Sequence, residues 1–196
     1  MFVKNEEPFQ KFSEWLKKAE ENSSIIEPTA TCLATVDENN HPSSRMVLLK
    51  KFDERGFCFF TNLTSRKGRE LAQNQNVALC FYWGVLGLQI RVEGVVEKVS
   101  QKEADDYFSS RRRESQIGAW ASKQSCEMKE WKEFEDRIEK ITADFVNQEI
   151  PRPPFWSGFR VVPKRIEFWE EGDFRIHKRQ VYSRLENGWE VKKVYP

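Results

Sequence analysis

The N-terminal half of the chain is a succession of short apolar runs, each followed by a turn signal. "ATCLATVD", "RMVLLKKF" and "GFCFFTN" follow one another between residues 30 and 62, separated by "ENNHP" and "DERG". Runs of this length, rich in β-branched and aromatic residues and bounded by Gly, Pro, Asn and Asp, are typical of strands joined by turns. The pattern predicts that the fold begins as a meander of strands.

The same pattern returns later in the chain. "VALCFYW" and "LQIRVEGVVEKV" predict two further strands, and Gly94 inside the second predicts a bulge or bend. "FRVVPKRIEFW", "FRIHKRQVYSRL" and "WEVKKVYP" predict C-terminal strands over 158–196, with a tight turn at Asn187–Gly188. About eight strands with a few flanking helices predict a mainly β (α+β) fold, a closed or nearly closed barrel, in one domain over 1–196.

Four helices are expected beside these strands. We expect an amphipathic helix over 8–21, a short helix beginning near Ser65, a helix opened by a Ser100–Glu103 capping box, and a helix over 127–145. The first and the last are predicted from apolar residues at helical spacing, namely Phe9, Phe12, Leu16 and Ala19, and Trp131, Phe134, Ile138, Ile141 and Phe145.

The charge balance narrows the class of partner. Lys and Arg number 32 against 31 Asp and Glu, a formal net charge of +1. A nucleic-acid module that used Arg111–Arg113 and exposed aromatics would normally carry a broad basic excess, so we expect no nucleic-acid partner. Local clusters of cations in such a chain are better suited to a small anion.

Cysteine and histidine usage indicates the compartment and argues against a metal site. The four cysteines are widely spaced with no C-x-x-C pair, which favours reduced thiols. His41 and His177 are the two histidines, too few to suggest a zinc site, so no metal is expected. With neither a signal-peptide pattern nor an apolar run of membrane length, the sequence predicts a cytoplasmic protein with no membrane partner.

The stretch "YFSSRRRESQIGAWASKQS", residues 107–125, concentrates cations and hydroxyls. If the helix opened at Ser100 persists, Tyr107, Arg111 and Ser115 are spaced by four and share one face. A phenol, a guanidinium and a hydroxyl would together suit a phosphate. A solvated basic helix end explains the same residues, and spacing alone leaves both interpretations open.

A second cluster, "TNLTSRKGRE", places Ser65, Arg66 and Lys67 at the start of a predicted helix. Free backbone N–H groups at a helix start favour an anion, and the two cations would add to that preference. An ordinary Ser cap followed by solvated charges explains the local pattern equally well.

A third cluster is the strand "SSRMVLLK", bracketed by Arg45 and Lys50. Period-two alternation puts these two cations on opposite faces. Either one is a strand-end charge, which the isolated strand favours, or the strand passes between two binding features.

A fourth cluster lies in "IEFWEEGDFRIHKR". Arg175, His177 and Arg179 alternate along a predicted strand and would share one face. A histidine flanked by two arginines resists protonation and does not suit a metal. A lone histidine is more often structural than catalytic, but this trio with Trp169 suggests that a flat, electron-rich or anionic ring binds nearby.

Taken together, these motifs resemble the pyridoxine (pyridoxamine) 5′-phosphate oxidase family. "SSRMVLLK", "FFTN…SRKGREL", "QIRVEG", "YFSSR…SQIGAWASKQS", "PRPPFWSGFRVVP" and "IEFW…RIHKR" occur in the family's order and spacing, from about residue 28 to the C-terminus. The resemblance implies an FMN-binding split β-barrel that works as a homodimer with FMN at the subunit interface. It also implies oxidation of pyridoxamine or pyridoxine 5′-phosphate to pyridoxal 5′-phosphate, with O2 as acceptor and H2O2 as product.

The resemblance also assigns residues. Those that it implies for FMN are Arg45, Met46, Val47, Leu48, Leu49, Lys50, Phe60, Thr61, Arg66, Lys67, Gln89, Gln124, Ser125, Trp169 and Arg179, with Arg45, Arg66 and Lys67 at the phosphate. Those that it implies for the substrate phosphate are Lys50, Tyr107, Arg111 and Ser115. Arg175 and His177 match the catalytic pair placed against the substrate ring.

Departures from the family pattern keep a second hypothesis open. Lys178 stands where the family normally has an acidic or amide residue, and Glu170 after the tryptophan is atypical. Longer members of the family also have an additional N-terminal segment that contributes to an active-site cover, and this sequence begins almost at its first predicted helix. A split-barrel protein that holds FMN or pyridoxal phosphate without efficient turnover is therefore the alternative. It predicts bound flavin without peroxide production.

Overall fold

The computed structural model describes residues 2–3 and 7–196. Residues 1 and 4–6, which the predicted single domain also spans, lie outside the described residues. The described part of the chain contains ten strands and five α-helices, in this order: β1 Phe2–Val3, α1 Glu7–Glu20, β2 Ala30–Val36, β3 Pro42–Leu48, β4 Lys51–Asp53, β5 Gly56–Asn62, α2 Arg66–Gln73, β6 Asn76–Trp83, β7 Leu88–Lys98, α3 Gln101–Ser109, α4 Arg113–Ala121, α5 Trp131–Asp144, β8 Trp156–Glu170, β9 Lys178–Leu185 and β10 Gly188–Val194.

The strands form an antiparallel barrel with flanking helices. Neighbouring strands follow the order β3–β2–β6–β7–β8–β5–β4. β3 and β4 are consecutive along the chain, and the Lys50 N–H donates to the Cys58 carbonyl at 2.9 Å, which joins their path to β5 and closes the ring. The prediction of a mainly β barrel with flanking helices is confirmed, and closure leaves few strand edges exposed.

The long strand β8 divides the sheet. It pairs with β7 along most of its length, with β5 through its first residues (Thr61 opposite Ser157) and with β9 through its last (Trp169 opposite Arg179). β9, β10 and β1 continue from that second half. The C-terminal strands therefore continue the sheet from β8, and Tyr182 of β9 and Trp189 of β10 pack into the main core.

Helix α1 supplies the centre of the main core. Phe12 is fully buried, and its ring meets Phe52, Phe57 and Phe81 edge-on at centroid distances of 4.9, 4.9 and 5.1 Å. Burial of one such ring stabilises a fold by about 3 kcal/mol relative to alanine. The amphipathic helix predicted over 8–21 is confirmed, shifted by one residue.

A second, smaller core lies between the helices and the start of β8. Phe108, Ile117, Ile150 and Trp156 are buried together there. This cluster joins α3 and α4 to the barrel without contributing to the barrel interior.

Two glycines lie at positions where the backbone disfavours a residue with a side chain. The β7–β8 register shifts at Glu93/Gly94, where a Cβ would lie 2.1 Å from the Val162 carbonyl oxygen, so the predicted bulge is confirmed. The tight turn predicted at Asn187–Gly188 lies one residue earlier, at Glu186–Asn187, and Gly188 opens β10 opposite Leu185 with φ +123°.

Two predicted helices have different bounds in the structure. The helix opened by the Ser100 capping box ends at Ser109, and α4 starts at Arg113 after an extended Arg112 (φ −57°, ψ 143°). The helix predicted over 127–145 starts at Trp131, whose side chain is exposed.

The strand predicted over 174–185 is shorter than expected. Asp173–Arg175 form a 3-10 turn, with Phe174 and Arg175 at φ +54° and +66°, and β9 begins at Lys178. Arg175 and His177 therefore lie on a turn and not on one strand face. Within the described ranges, none of the α-helices combines the length and the apolar character needed to cross a bilayer.

Candidate active site

A cavity of about 510 Å³ opens between β3, β5 and the helices α3 and α4. We call it the barrel-side cavity. The sequence-predicted residues that line it come from both the flavin and the substrate groups: Met46, Val47, Leu48, Lys50, Phe60, Thr61, Lys67, Tyr107, Arg111, Ser115 and Gln124. Most of the predicted phosphate-binding side chains thus meet in one place.

Arg111 has a hydrogen-bond donor that an anion in this cavity would satisfy. Its guanidinium lies 5.0 Å over the Trp156 ring and 5.6 Å over Phe108. Its Nη1 is buried and, among the described residues, has no hydrogen-bond partner. Burial lowers the pKa of Arg111 and raises that of Tyr107 beside it. A buried, unpaired donor is costly, and an anionic ligand would satisfy it.

Aromatic rings form the wall next to Arg111. Phe60 stacks on Tyr107 at 4.0 Å and on Trp156 at 5.4 Å. Because rings in this arrangement restrict one another's rotamers, the wall holds the Tyr107 hydroxyl in a defined place.

Tyr107 and Ser115 converge although they belong to different helices. Gln116 of α4 donates its amide to the carbonyls of Phe108 and Ser109 at 2.9 and 3.3 Å, which ties α4 to the end of α3. The prediction that these side chains share one site is supported by the cavity. The reason given for it, one continuous helix, is wrong.

Lys67, which is half-buried, is a second cation of the cavity. Ser65 caps α2, accepting the Gly68 N–H at 3.2 Å, as the sequence predicts. Lys67 Nζ donates to Thr61 Oγ1 and Gln124 Oε1, each at 3.2 Å. Both partners are neutral, and burial lowers the pKa of Lys67. An anion here would gain charge neutralisation that these partners do not give.

Arg45 and Arg66 meet at Glu70 rather than in the barrel-side cavity. Glu70 accepts from Arg45 Nη2 at 2.9 Å and Arg66 Nε at 2.8 Å, and also from Thr35 and Ser43. Burial of Glu70 opposes its ionisation, but these hydrogen bonds outweigh that effect and lower its pKa to about 2.

Sequence reasoning missed Glu70. The one available signal was its i,i+4 spacing from Arg66 on α2. Leu49, another residue implied for the flavin, is buried in the barrel core.

The remaining predicted residues gather at the C-terminal strands. Gln89, Trp169 and Arg179 lie opposite one another across β7, β8 and β9. Arg179 donates to Glu167 at 2.9 Å and to the Tyr195 carbonyl at 3.0 Å. This row presents an amide, an indole and a guanidinium on neighbouring strands.

The turn between β8 and β9, residues 171–177, carries the predicted catalytic pair. We call it the C-terminal turn. The His177 ring lies 4.6 Å from Trp169, and the Gly172 N–H donates to His177 Nδ1 at 3.3 Å. A neutral His177 that accepts at Nδ1 carries its proton on Nε2. Arg175 stands between Phe174 and Ile176, whose side chains are 94% and 68% exposed.

Glu170 and Lys178, which depart from the family pattern, form an ion pair with each other. Glu170 and Lys178 face each other across β8 and β9, and Lys178 Nζ lies 3.0 Å from Glu170 Oε1. The reversed charge at Lys178 is thus matched by a carboxylate at Glu170.

One subunit does not bring the C-terminal turn to the barrel-side cavity. Trp156 lines that cavity at the start of β8, and Trp169 contacts His177 near its end, after a strand path of about 40 Å. His177 and Arg179 line a different cavity, of about 290 Å³, and Ser125 lines a third, of about 270 Å³.

Comparison with known proteins identifies the family. Residues 17–169 match the family model described as pyridoxamine 5′-phosphate oxidase. Residues 156–196 match a second model, the pyridoxine 5′-phosphate oxidase C-terminal dimerisation region. The C-terminal strands therefore correspond to a region through which the family dimerises.

Curated relatives match nearly the whole chain. The pyridoxine/pyridoxamine 5′-phosphate oxidase of Myxococcus xanthus (strain DK1622) is 50% identical over 190 residues, covering 97% of this chain and 92% of its own. That of Sinorhizobium fredii (strain NBRC 101917 / NGR234) is 49% identical over 197 residues, covering 100% and 95%.

Solved structures agree with this relationship. PhzG from Burkholderia lata 383, in complex with tetrahydrophenazine-1-carboxylic acid, superposes with a TM-score of 0.90 at 31% identity, covering 96% of this chain and 92% of its own. A pyridoxamine 5′-phosphate oxidase-related, FMN-binding protein from Nostoc punctiforme PCC 73102 has the same fold, with a TM-score of 0.78 at 19% identity and coverage of 96% and 98%. The chain belongs to the pyridoxine/pyridoxamine 5′-phosphate oxidase family.

Proposed function

We propose that this protein oxidises pyridoxamine 5′-phosphate and pyridoxine 5′-phosphate to pyridoxal 5′-phosphate, with FMN as cofactor and O2 as electron acceptor. The observation that carries the proposal is the buried, unpaired Arg111 Nη1 in a cavity that also holds Lys67. A substrate phosphate and a cofactor phosphate would each satisfy one of these cations. The four unpaired cysteines support a cytoplasmic setting.

The donor set fits FMN. Lys67 is half-buried and hydrogen-bonded to two neutral side chains, so it is available to a phosphate. Arg45 and Arg66 are held together by Glu70 and would complete the phosphate site. The end of β3 and the residues just after it (46–50, with the Leu49 side chain turned into the core), together with Thr61 and Gln124, would line the ring system. When bound, FMN would supply the hydride acceptor for the 4′ carbon and pass the electrons to O2, giving H2O2. Pyridoxine 5′-phosphate would give the aldehyde directly, whereas the imine from pyridoxamine 5′-phosphate would be hydrolysed by water to pyridoxal 5′-phosphate and ammonia.

The Arg111 side of the cavity fits the substrate phosphate. Lys50 and Arg111 supply charge, and Tyr107 and Ser115 supply hydroxyl donors, all in the same cavity. Because this grip is remote from the reacting carbon, its binding energy can be used to position the substrate.

The C-terminal turn would complete the site from a second subunit. Residues 156–196 match the dimerisation region, and Phe174 and Ile176 expose apolar surface around Arg175. We infer a homodimer in which each barrel-side cavity receives Gln89, Trp169, Arg179 and the catalytic pair of the other subunit. A site shared in this way places FMN at the interface.

The chain's own residues would then orient the substrate and manage its charge. Arg175 would hold the pyridine ring against the flavin and stabilise negative charge on the ring substituents. His177, with its proton on Nε2 and its ring against Trp169, would donate a hydrogen bond to the substrate or exchange its proton as the 4′ bond breaks.

The test uses purified full-length protein loaded with FMN, pyridoxamine 5′-phosphate and air. Pyridoxal 5′-phosphate and H2O2 are measured together, and the two should appear in equal amounts. Dephosphorylated pyridoxamine is the control, and its kcat/KM should be lower by about 100-fold, because the phosphate contacts are lost.

Two results would contradict the proposal. Bound flavin with neither product would favour a binding protein of the split-barrel type. Turnover of a tetrahydrophenazine carboxylic acid, with no turnover of either B6 phosphate, would favour the reaction class of the PhzG neighbour.

A further inference from the structure

Arg152 joins α3 to the first residue of β8. Its Nε donates to Asp105 Oδ1 at 2.6 Å, its Nη2 to Gln101 Oε1 at 2.5 Å and its Nη1 to the Trp156 carbonyl at 2.7 Å. The Arg152 side chain is 12% exposed. All three sides of the guanidinium are therefore engaged, two with the helix and one with the strand.

The two elements that Arg152 joins, α3 and the start of β8, both carry residues of the Arg111 part of the barrel-side cavity. Asp105 and Gln101 are one turn apart on α3, and the same helix carries Tyr107 in its last turn. Trp156 lies under the Arg111 guanidinium at 5.0 Å and is nearly parallel to the Tyr107 ring at 6.1 Å. The distance between α3 and Trp156 thus sets how Arg111 and Tyr107 face the cavity.

We propose that Arg152 is a positioning residue for the substrate-phosphate site. It fixes α3 against Trp156, so that Arg111 and Tyr107 are oriented before the phosphate arrives. This inference rests on the proposed function for the identity of the anion. It goes further in assigning a task to a residue that touches neither substrate nor cofactor.

Another contact holds α3 independently of Arg152. The buried Arg160 donates from Nη2 to Glu103 at 2.7 Å, and Glu103 closes the capping box with Ser100. Loss of Arg152 should therefore leave α3 folded and attached at its first turn. What it should change is the placement of the helix end that carries Tyr107.

The first experiment compares Arg152→Gln with the wild type, both full-length and loaded with FMN. We expect KM for pyridoxamine 5′-phosphate to rise about tenfold while kcat stays within about twofold, since the phosphate grip and not the reacting end is disturbed. The dissociation constant of inorganic phosphate, measured by calorimetry on the FMN-loaded protein, should rise by the same factor. Arg152→Lys keeps the positive charge but loses the planar guanidinium with its several donors. Its KM and its dissociation constant for phosphate should therefore lie between those of the wild type and of Arg152→Gln.

Two adjacent aspartates provide a matched pair of variants. Asp105 pairs with Arg152, whereas Asp106 pairs with Lys102 on the same helix at 2.6 Å. Asp105→Asn should weaken phosphate binding about threefold, because one charged hydrogen bond becomes neutral. Asp106→Asn should bind phosphate as the wild type does.

The possible outcomes separate this inference from the proposed function. If the wild type is active and Arg152→Gln binds phosphate as tightly as the wild type does, the positioning role is wrong. If Arg152→Gln does not fold, unchanged phosphate affinity in Asp105→Asn leads to the same conclusion. The role is also wrong if Arg152→Gln loses kcat, FMN affinity and phosphate affinity to the same extent while Asp105→Asn binds phosphate normally. That pattern would indicate a general destabilisation of the structure and not a specific effect on the phosphate site. A wild type that neither turns over the substrate nor binds phosphate overturns the proposed function itself.

Discussion

The barrel-side cavity and the C-terminal turn are built in opposite ways. In the cavity, Arg111 is packed between aromatic rings and Lys67 is hydrogen-bonded on two sides. In the turn, Phe174 and Arg175 adopt left-handed φ angles, and the Phe174 side chain is almost fully exposed. The cavity is therefore preorganised within one subunit, whereas the turn presents its residues outward.

This difference has a functional meaning. Groups that grip phosphates gain most from being fixed in advance, because ordering them on binding would cost affinity. Left-handed φ at non-glycine residues is costly and persists where the surroundings over-determine it. A second subunit that covers the C-terminal turn would supply those surroundings.

The largest effect is expected from the turn. Arg175→Ala should lower kcat about 100-fold or more, because the substrate ring loses its orienting cation, and should leave FMN bound. Turnover and flavin absorbance measured on the same sample check both statements. Lys164→Ala removes an exposed cation in the middle of β8 and should change neither. Loss of flavin from Arg175→Ala would mean that the turn holds the cofactor.

The next effect concerns the cavity. Lys67→Ala should raise the dissociation constant of FMN about 30-fold, since a half-buried ammonium on a phosphate is a strong charged contact. Flavin fluorescence quenching measures it. Arg69→Ala is the matched control, because Arg69 lies on the same helix but is exposed and bonds the Thr64 carbonyl. Equal affinity of Lys67→Ala and wild type would remove Lys67 from the phosphate site.

A smaller effect concerns stability in acid. The folded-state pKa of Glu70 is lowered to about 2, so its contribution is present above pH 4.5 and is lost as the pH falls towards 2. We expect the free energy of unfolding to drop by about 3 kcal/mol through this group, and Glu70→Gln to flatten that slope. Urea titrations at a series of pH values check it. Glu114→Gln, at an exposed position on α4, should keep the wild-type slope, and an unchanged slope in Glu70→Gln would contradict the account.

The smallest effect is expected at the Glu170–Lys178 pair. Lys178→Asp places two carboxylates opposite each other on an exposed part of β8 and β9, which should cost about 0.5 kcal/mol of stability. Adding Glu170→Lys should restore it, as thermal unfolding would reveal. A tenfold change in turnover with no change in stability would instead give Lys178 a direct catalytic effect.

The sequence predicted the fold well where local signals are strong. Alternating apolar runs, the capping box at Ser100, the cap at Ser65 and the bulge at Gly94 all depend on neighbouring residues, and all are confirmed. The break after Ser109 and the turn at Asp173–Arg175 were missed. At both places the local pattern predicts that the helix or strand continues, and tertiary contacts override that preference.

The candidate site was predictable in part. Residue types and spacing pointed to anion sites at Lys67 and Arg111, but which cation faces which cavity depends on packing between distant elements. Arg152 was missed for that reason, because its partners lie far away in sequence on α3. The separation of Arg175 from Arg111 within one subunit carries no sequence signal at all.

The most direct test of the central claim, a site shared between subunits, is complementation between two inactive variants. Arg111→Ala and Arg175→Ala are unfolded together, refolded as a mixture and assayed with pyridoxamine 5′-phosphate. In a shared site, half of the dimers are mixed and each mixed dimer has one intact site, so about a quarter of wild-type activity should return. If each site lies within one subunit, no mixture can contain an intact site, and activity that stays at the level of the separate variants would contradict the account.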